Sequence, residues 1–279
     1  MKMCSDVSVT LLVDNHGQDG LSVEHGFSMW IEADGKKILF DSGQGSAFEK
    51  NVAALGVDLE NVDAFVLSHG HYDHTGGIPF VLGQVPHVEV YGHPGIVRPR
   101  YSINNGTARS IQMPRAVMAA IDGIPSSRLH WLQQPEMLSG SMGLSGFIPR
   151  ETDFEDAGGP FYLDSNGKRP DVVEDDMALW IRTDEGLVVC VGCCHAGLVN
   201  TLEHVRRISG QERIRAVIGG LHLINADARR MDRTIDALRE YSLNMLVPCH
   251  CTGDAAVSRL QDDLGLLVSP GAAGMTYRF

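Results

Sequence analysis

Short apolar runs separated by glycine and aspartate recur along the chain, and they set the expected elements. Residues 7–13, 28–33, 36–40, 64–67 and 88–91 read as strands, each rich in aliphatic, β-branched or aromatic side chains. Asp34-Gly35, between two of these runs, is a two-residue hairpin signal. Residues 46–55 carry apolar positions at helical spacing and stop at Gly56, a residue suited to helix ends. A second hairpin is expected from 178–183 and 187–191, joined through Asp184-Glu185-Gly186. The last third alternates, with helices over 198–208, 227–241 and 254–264 and strands over 214–218 and 245–247. Hairpins and crossover units in one chain fit an α/β sandwich of two sheets with outer helices better than a doubly wound parallel sheet. No repeat at a period of roughly 20–50 residues is present, which excludes a solenoid.

Two stretches interrupt this alternation. Between Val90 and Ile121 there are four arginines (98, 100, 109 and 115) and no acid. Between Glu151 and Asp176 there are nine acids against Lys168 and Arg169, with turn signals at Gly158-Gly159-Pro160 and Asn166-Gly167. Both are expected to be excursions from a single domain spanning residues 1–279, and excursions of this length are often functional lids.

Charge narrows the partners. With 23 basic and 35 acidic residues the formal net charge is −12, which argues against nonspecific binding to nucleic acid or anionic membrane. No apolar run approaches the roughly 20 residues needed to span a bilayer. Met1-Lys2-Met3-Cys4-Ser5-Asp6 reaches an acid before any apolar stretch, unlike a signal peptide. A soluble cytoplasmic protein is expected, with its six cysteines reduced; the oligomeric state is left open.

The densest chemistry lies in Ser68-His69-Gly70-His71-Tyr72-Asp73-His74-Thr75-Gly76-Gly77, directly after an apolar strand. Imidazole and carboxylate are ligands suited to first-row divalent metals. If strand geometry persists, His69 and His71 point the same way and share one ion. Asp73 and His74 then begin a second site. Three further histidines each follow an apolar strand: His195, His222 and His250. Sites in α/β folds collect on loops at one edge of a sheet. His195 and His250 are therefore expected as ligands, and His222 either as a ligand or as a substrate contact. Cys193, Cys194, Cys249 and Cys251 could build a separate structural zinc site with two of these histidines. They lack a clear Cys-x-x-Cys pair, however, and packing is the preferred role for most of them.

The run from His69 to His74 resembles the signature of the metallo-β-lactamase superfamily. That resemblance implies a four-layer αββα sandwich, and it implies that Asp41, in Phe40-Asp41-Ser42-Gly43, braces the metal loop. Glu24-His25-Gly26, Leu55-Gly56-Val57-Asp58, Gly192-Cys193-Cys194-His195-Ala196-Gly197 and Pro248-Cys249-His250-Cys251-Thr252-Gly253 occur in the order of one branch. That branch is labelled 7,8-dihydropterin-6-yl-methyl-4-(β-D-ribofuranosyl)aminobenzene-5′-phosphate synthase. The chain departs from glyoxalase II and the class B lactamases, which carry a further histidine midway in a Pro-Gly-His-Thr-type segment. Here His87, His93 and His130 lie between His74 and His195, none in such a context. The hairpin ending at His195 is expected to sit where many hydrolases of the fold carry a bridging aspartate.

The chemistry so implied is that of a metal-dependent hydrolase. Two divalent ions, with zinc the first candidate and iron, manganese or nickel also suited, would be held by His69, His71, Asp73, His74, His195 and His250. A metal-bound hydroxide would then attack a small anionic ester, phosphoester or lactone, with pterin- or nucleotide-related molecules among the candidates. Asp73 would hold both metal and water, so no side-chain nucleophile is required, and no Gly-x-Ser-x-Gly elbow or Walker loop is present. Arg109 and Arg115 are the better candidates for binding the substrate anion, the alternative being a solvated surface; His25 could also face the substrate. The competing functions are a non-catalytic metabolite-binding sensor of the same fold and a single-metal oxidoreductase. Flavodiiron proteins, oxidoreductases of the same fold that use iron, need a flavodoxin domain for which no residues remain.

Overall fold

The computed structural model describes residues 2–241 and 243–279. Seven strands form one sheet, in the spatial order Thr276–Arg278, Val7–Val13, Ser28–Ala33, Lys36–Phe40, Ala64–Val66, Glu89–Gly92 and Leu129–Trp131. Six form a second, in the order Met245–Cys249, Ile214–Gly220, Gly186–Val191, Ala178–Thr183, Met142–Leu144 and Glu136–Met137. Asp34-Gly35 and Asp184-Glu185 make the tight connections of the two expected hairpins.

Alternation of side chains explains how two sheets and two helical layers share one chain. In strand Ala178–Thr183, Leu179 and Ile181 face the core between the sheets, while Ala178 and Trp180 face the opposite side. The inner core joins Val9, Met29, Ile31, Phe40 and Val66 of one sheet to Leu144, Val188, Ile218 and Val247 of the other. Helices Leu198–Ser209, Ala228–Glu240 and Asp254–Leu264 cover the outer face of the six-stranded sheet through Leu202, Ile235 and Leu260. Helices Ser46–Ala54, Ile78–Gln84 and Arg115–Asp122 cover the seven-stranded sheet through Phe48, Val81 and Val117. The result is the four-layer αββα sandwich. Among the described residues, no helix is long and apolar enough to cross a membrane.

Residues 90–121 do not stand wholly apart from the core, because Met113, Val117 and Ile121 are buried in the outer layer. What leaves the sandwich is a separate three-stranded sheet of Phe161–Tyr162, Tyr101–Asn104 and Thr107–Ser110. It joins parts of both interrupted stretches.

The parallel strands place the chemistry. Lys36–Phe40, Ala64–Val66 and Glu89–Gly92 run parallel in one sheet, and Gly186–Val191, Ile214–Gly220 and Met245–Cys249 run parallel in the other. Asp41, Ser68–His74, His195, His222 and His250 all follow the C-terminal ends of these strands.

Candidate metal centre

The loop after Ala64–Val66 is fixed by a buried carboxylate. Asp41, with a left-handed φ of 59°, accepts from the Ser68 backbone N–H at 2.8 Å and from the Ser68 hydroxyl at 2.6 Å. It also accepts from His74 Nδ1 at 2.7 Å. Because the Ser68 hydroxyl donates to Asp41, its oxygen accepts from His69 Nδ1 at 2.9 Å. Gly70 separates the two leading histidines for a steric reason, since a Cβ there would overlap the carbonyl of Ile96.

The hydrogen-bond partners settle the tautomers. His69 and His74 spend Nδ1–H on Ser68 and Asp41, and His195 spends Nδ1–H on the Ala157 carbonyl at 2.7 Å. His250 Nδ1 donates to Asn15 Oδ1 at 2.9 Å, while the Asn15 amide donates to the His250 carbonyl and so fixes its own orientation. In all four rings the bare Nε2 is left for the interior of the site. His69 Nε2 faces His71 Nδ1 at 2.9 Å, and His250 Nε2 faces the Asp73 carboxylate at 3.4 Å. Ring nitrogens this close to one another and to a carboxylate can share one cation, and partners on the opposite nitrogen are how metal-binding imidazoles are oriented.

Ligand atoms of His69, His71 and His195 lie within 4.8 Å of one another, as do those of His25, Asp73 and His250. His74 clusters with His69 and Cys193. Thus His69, His71, Asp73, His74, His195 and His250 are brought together as expected from sequence. His195 joins His69 and His71 and does not take the place of a bridging carboxylate. The donor set is suited to divalent metal, and the buried Nε2 of His195 has no protein partner.

Burial tunes these groups for ligation. Desolvation, reinforced by neighbouring imidazoles, holds His69 and His195 well below the usual histidine range. Desolvation takes His71 to about 3 and His250 to about 4. Neutral imidazole is the form that binds metal. For His74 burial also favours the neutral ring, but the charge of and hydrogen bond to Asp41 outweigh it and raise its pKa. For Asp73 burial opposes ionisation, yet contacts with His25 and His250 hold the carboxyl well below its ordinary value.

A cavity of about 480 Å³ opens onto these groups. Its walls include Tyr72, Arg109, Ile111, Phe161, His222 and Ile224, with Ser102, Asn104 and Thr107 from the three-stranded sheet. His25 is exposed and lies 3.1 Å from Asp73 Oδ2. His222 has a left-handed φ of 44°, its ring is 4.4 Å from that of His195, and its buried Nδ1 has no partner. It stands beside the metal-type clusters rather than within them.

The four arginines separate. Arg109 lines the cavity and lies over the Tyr72 ring, 5.7 Å from its centroid. Arg115 is exposed and outside the cavity lining, a correction to its expected place beside Arg109. Arg98 pairs with Glu174, and Arg100 is buried against Asp171 and Asp175. The cysteines also separate. Cys190 and Cys249 pack in the inner core, whereas Cys193 and Cys251 line the cavity. Packing therefore does not describe this second pair, which the spacing along the chain did not distinguish.

A family model described as Metallo-beta-lactamase superfamily matches residues 21–176. The chain is 31% identical over 254 residues to the uncharacterized protein MJ0448 of Methanocaldococcus jannaschii, covering 90% of this chain and 93% of that protein. It is 29% identical over 250 residues to the 7,8-dihydropterin-6-methyl-4-(beta-D-ribofuranosyl)-aminobenzene-5'-phosphate synthase of the same organism, covering 86% and 85%. The crystal structure of Tm1679, described as a metal-dependent hydrolase of the beta-lactamase superfamily, superposes with a TM-score of 0.81 at 29% identity, covering 97% and 98%.

Proposed function

The chain belongs to the metallo-beta-lactamase superfamily, and on that premise we propose that it is a binuclear metal-dependent hydrolase of small anionic esters, phosphoesters or lactones. The observation that carries this reading is the pair of clusters whose ligand atoms lie within 4.8 Å of one another, His69 with His71 and His195, and Asp73 with His25 and His250, with His74 beside His69. His69, His71 and His195 would hold one ion, and Asp73, His74 and His250 the other. Such a pair supplies Lewis acidity toward a substrate oxygen and a water that ionises near neutral pH.

The chain's own groups do the rest. Asp73, ionised at rest, would take the proton of the attacking water at a carboxylate oxygen and hand it to His25, 3.1 Å away and half in solvent, which returns Asp73 to its ionised form. His222 lines the cavity wall with its buried Nδ1 turned toward Gly158, and the rest of its ring contacts the substrate. Arg109, steadied by Tyr72, attracts the substrate's anionic group, while Phe161, Ile111 and Ile224 receive its apolar body. The relative named as a synthase favours a second reading, group transfer to an acceptor other than water on a pterin-like phosphate.

Elemental analysis of protein purified without chelator, for wild type and His195→Ala, tests the binuclear reading. Two ions per chain, falling toward one in the variant, are expected. One ion or none, unchanged by the substitution, would remove it. Product release from a phosphoester with water as the sole acceptor then separates hydrolysis from transfer.

A further inference from the structure

Cys193 and Cys251 are set apart from the other cysteines by where their sulfurs lie. Cys190 and Cys249 pack in the inner core, and Cys4 and Cys194 direct their sulfurs to the Asp6 carbonyl and the Thr201 hydroxyl. Cys193 and Cys251 instead line the cavity beside the histidines, where a small molecule entering from solvent meets them. Their sulfurs lie within 4.8 Å of each other and of a ring nitrogen of His250. Cys251 Sγ also faces the Cys193 carbonyl at 3.6 Å, so the two residues approach through the backbone as well.

The fold makes this approach possible at one glycine. Cys193 follows strand Gly186–Val191 and Cys251 follows Met245–Cys249, with Ile214–Gly220 running between them in the sheet. A side chain at the end of that middle strand would screen the two thiols from each other. The strand ends in Gly220, where a Cβ would stand 2.6 Å from Cys251 Sγ and 3.4 Å from Cys193 Cα. Glycine leaves open the gap in which the sulfurs meet.

We propose that Cys193 and Cys251 form a dithiol switch, which hydrogen peroxide closes into a disulfide and which turns the cavity site off when closed. One thiol attacks the O–O bond of the peroxide, giving a sulfenic acid and water. The second thiol then displaces the hydroxyl from that sulfur as a second water and leaves the S–S bond. The two electrons lost by the sulfurs reduce the peroxide, and both thiol protons leave in the waters. A disulfide holds its sulfurs about 2.05 Å apart. Closure therefore draws the Cys193 sulfur away from His74 Nε2, which it faces at 3.1 Å in the open pair, and bridges the cavity wall beside His250. The loss of activity rests on the hydrolase reading of the site; the disulfide itself does not.

Peptide mass mapping tests the pair without reference to turnover. Protein purified without chelator is treated with hydrogen peroxide and digested under non-reducing conditions. The expected product is a cross-linked peptide pair, lighter than the sum of its free peptides by two hydrogens and separated by dithiothreitol, with the link located by fragmentation at Cys193 and Cys251. Turnover of a phosphoester is expected to fall in proportion to the cross-linked fraction and to return on reduction, and this recoverable loss disappears in Cys251→Ser. Free thiols or sulfinic acids at both positions in peroxide-treated wild type overturn the switch, and this needs no variant to fold. Complete cross-linking with turnover intact, or a recoverable loss undiminished in Cys251→Ser, overturns its hold on the site. A cross-link formed in a chain that hydrolyses no ester supports the dithiol and removes the hydrolase reading instead.

Discussion

Arg100 and Asp175 form a buried, doubly bonded ion pair, and the same Asp175 accepts the backbone N–H of Gly70, the residue between His69 and His71, at 2.8 Å. Arg100 Nε reaches Asp171 at 2.8 Å as well. One guanidinium thus ties the strand that walls the cavity to the loop carrying the leading histidines.

Removing that guanidinium leaves two carboxylates without their counter-charge in the interior. Breaking a buried pair from one side typically costs about 3–5 kcal/mol. Arg100→Met is expected to lose stability on that scale in urea denaturation and to lower metal retention together with it. A loss below about 1 kcal/mol would show that water reaches the pair.

Asp73 is where the two proposed tasks, holding the ion and taking the proton, meet. Asp73→Ala is expected to keep its far-ultraviolet circular dichroism and to retain one ion per chain while losing turnover by about a hundredfold or more, the lower range for a general base. Undiminished hydrolysis by this variant would sink the proposed mechanism.

Arg109 and Arg115 divide by position. Arg109→Ala is expected to raise KM about tenfold for a phosphorylated substrate, the scale of one charge-assisted hydrogen bond, and much less for a neutral ester. Arg115→Ala, altering an exposed helix start outside the cavity, leaves both unchanged. Equal losses on charged and neutral substrates in Arg109→Ala would assign that side chain to the wall alone.

Asp176 gives a pH dependence of definite sign. Its side chain is buried, one oxygen accepts from the Ala196 N–H at 2.7 Å, the other has no partner, and desolvation raises its pKa to about 7. The folded chain therefore holds a proton that the unfolded chain has released, across the interval from about 4 to 7. Wild-type stability from this group falls as pH rises through that interval and levels off above it. In metal-stripped protein, Asp176→Asn is expected to gain on wild type by up to about 1.4 kcal/mol per pH unit within the window. Denaturation midpoints at several pH values measure it, and a constant difference between the two proteins would contradict the buried ionisation.

The sandwich and its ligand loops were legible because their signals are local. Strands such as 178–183 and 187–191 are short apolar runs bounded by turn residues, and His69 to His74 crowd into one strand-end loop. The wall of the cavity was not legible: all four residues of Thr107–Ser110 are exposed, so no apolar period marks that strand. The pairing of Arg100 was not legible either, because its partners, Asp171 and Asp175, lie 71 and 75 residues along the chain. The contact of Cys193 with His74 spans 119 residues. Left-handed backbone at Asp41, Cys194, His222 and His250 carries no signature in residue type either, and the strain it implies clusters where the chemistry is.

The three-stranded sheet gives the molecule a division of labour. On the proposed reading, reaction type belongs to loops held by both halves of the sandwich, whereas the outer cavity wall is borne by Ser102, Asn104, Thr107 and Arg109 on a small appended sheet. Residues at its tip, Asn104-Asn105-Gly106, can be exchanged or lengthened without disturbing a buried donor atom. On the proposed reading, selectivity is free to diverge while the histidine-bearing loops stay fixed, up to the limit set by Arg100, which rivets the one to the other.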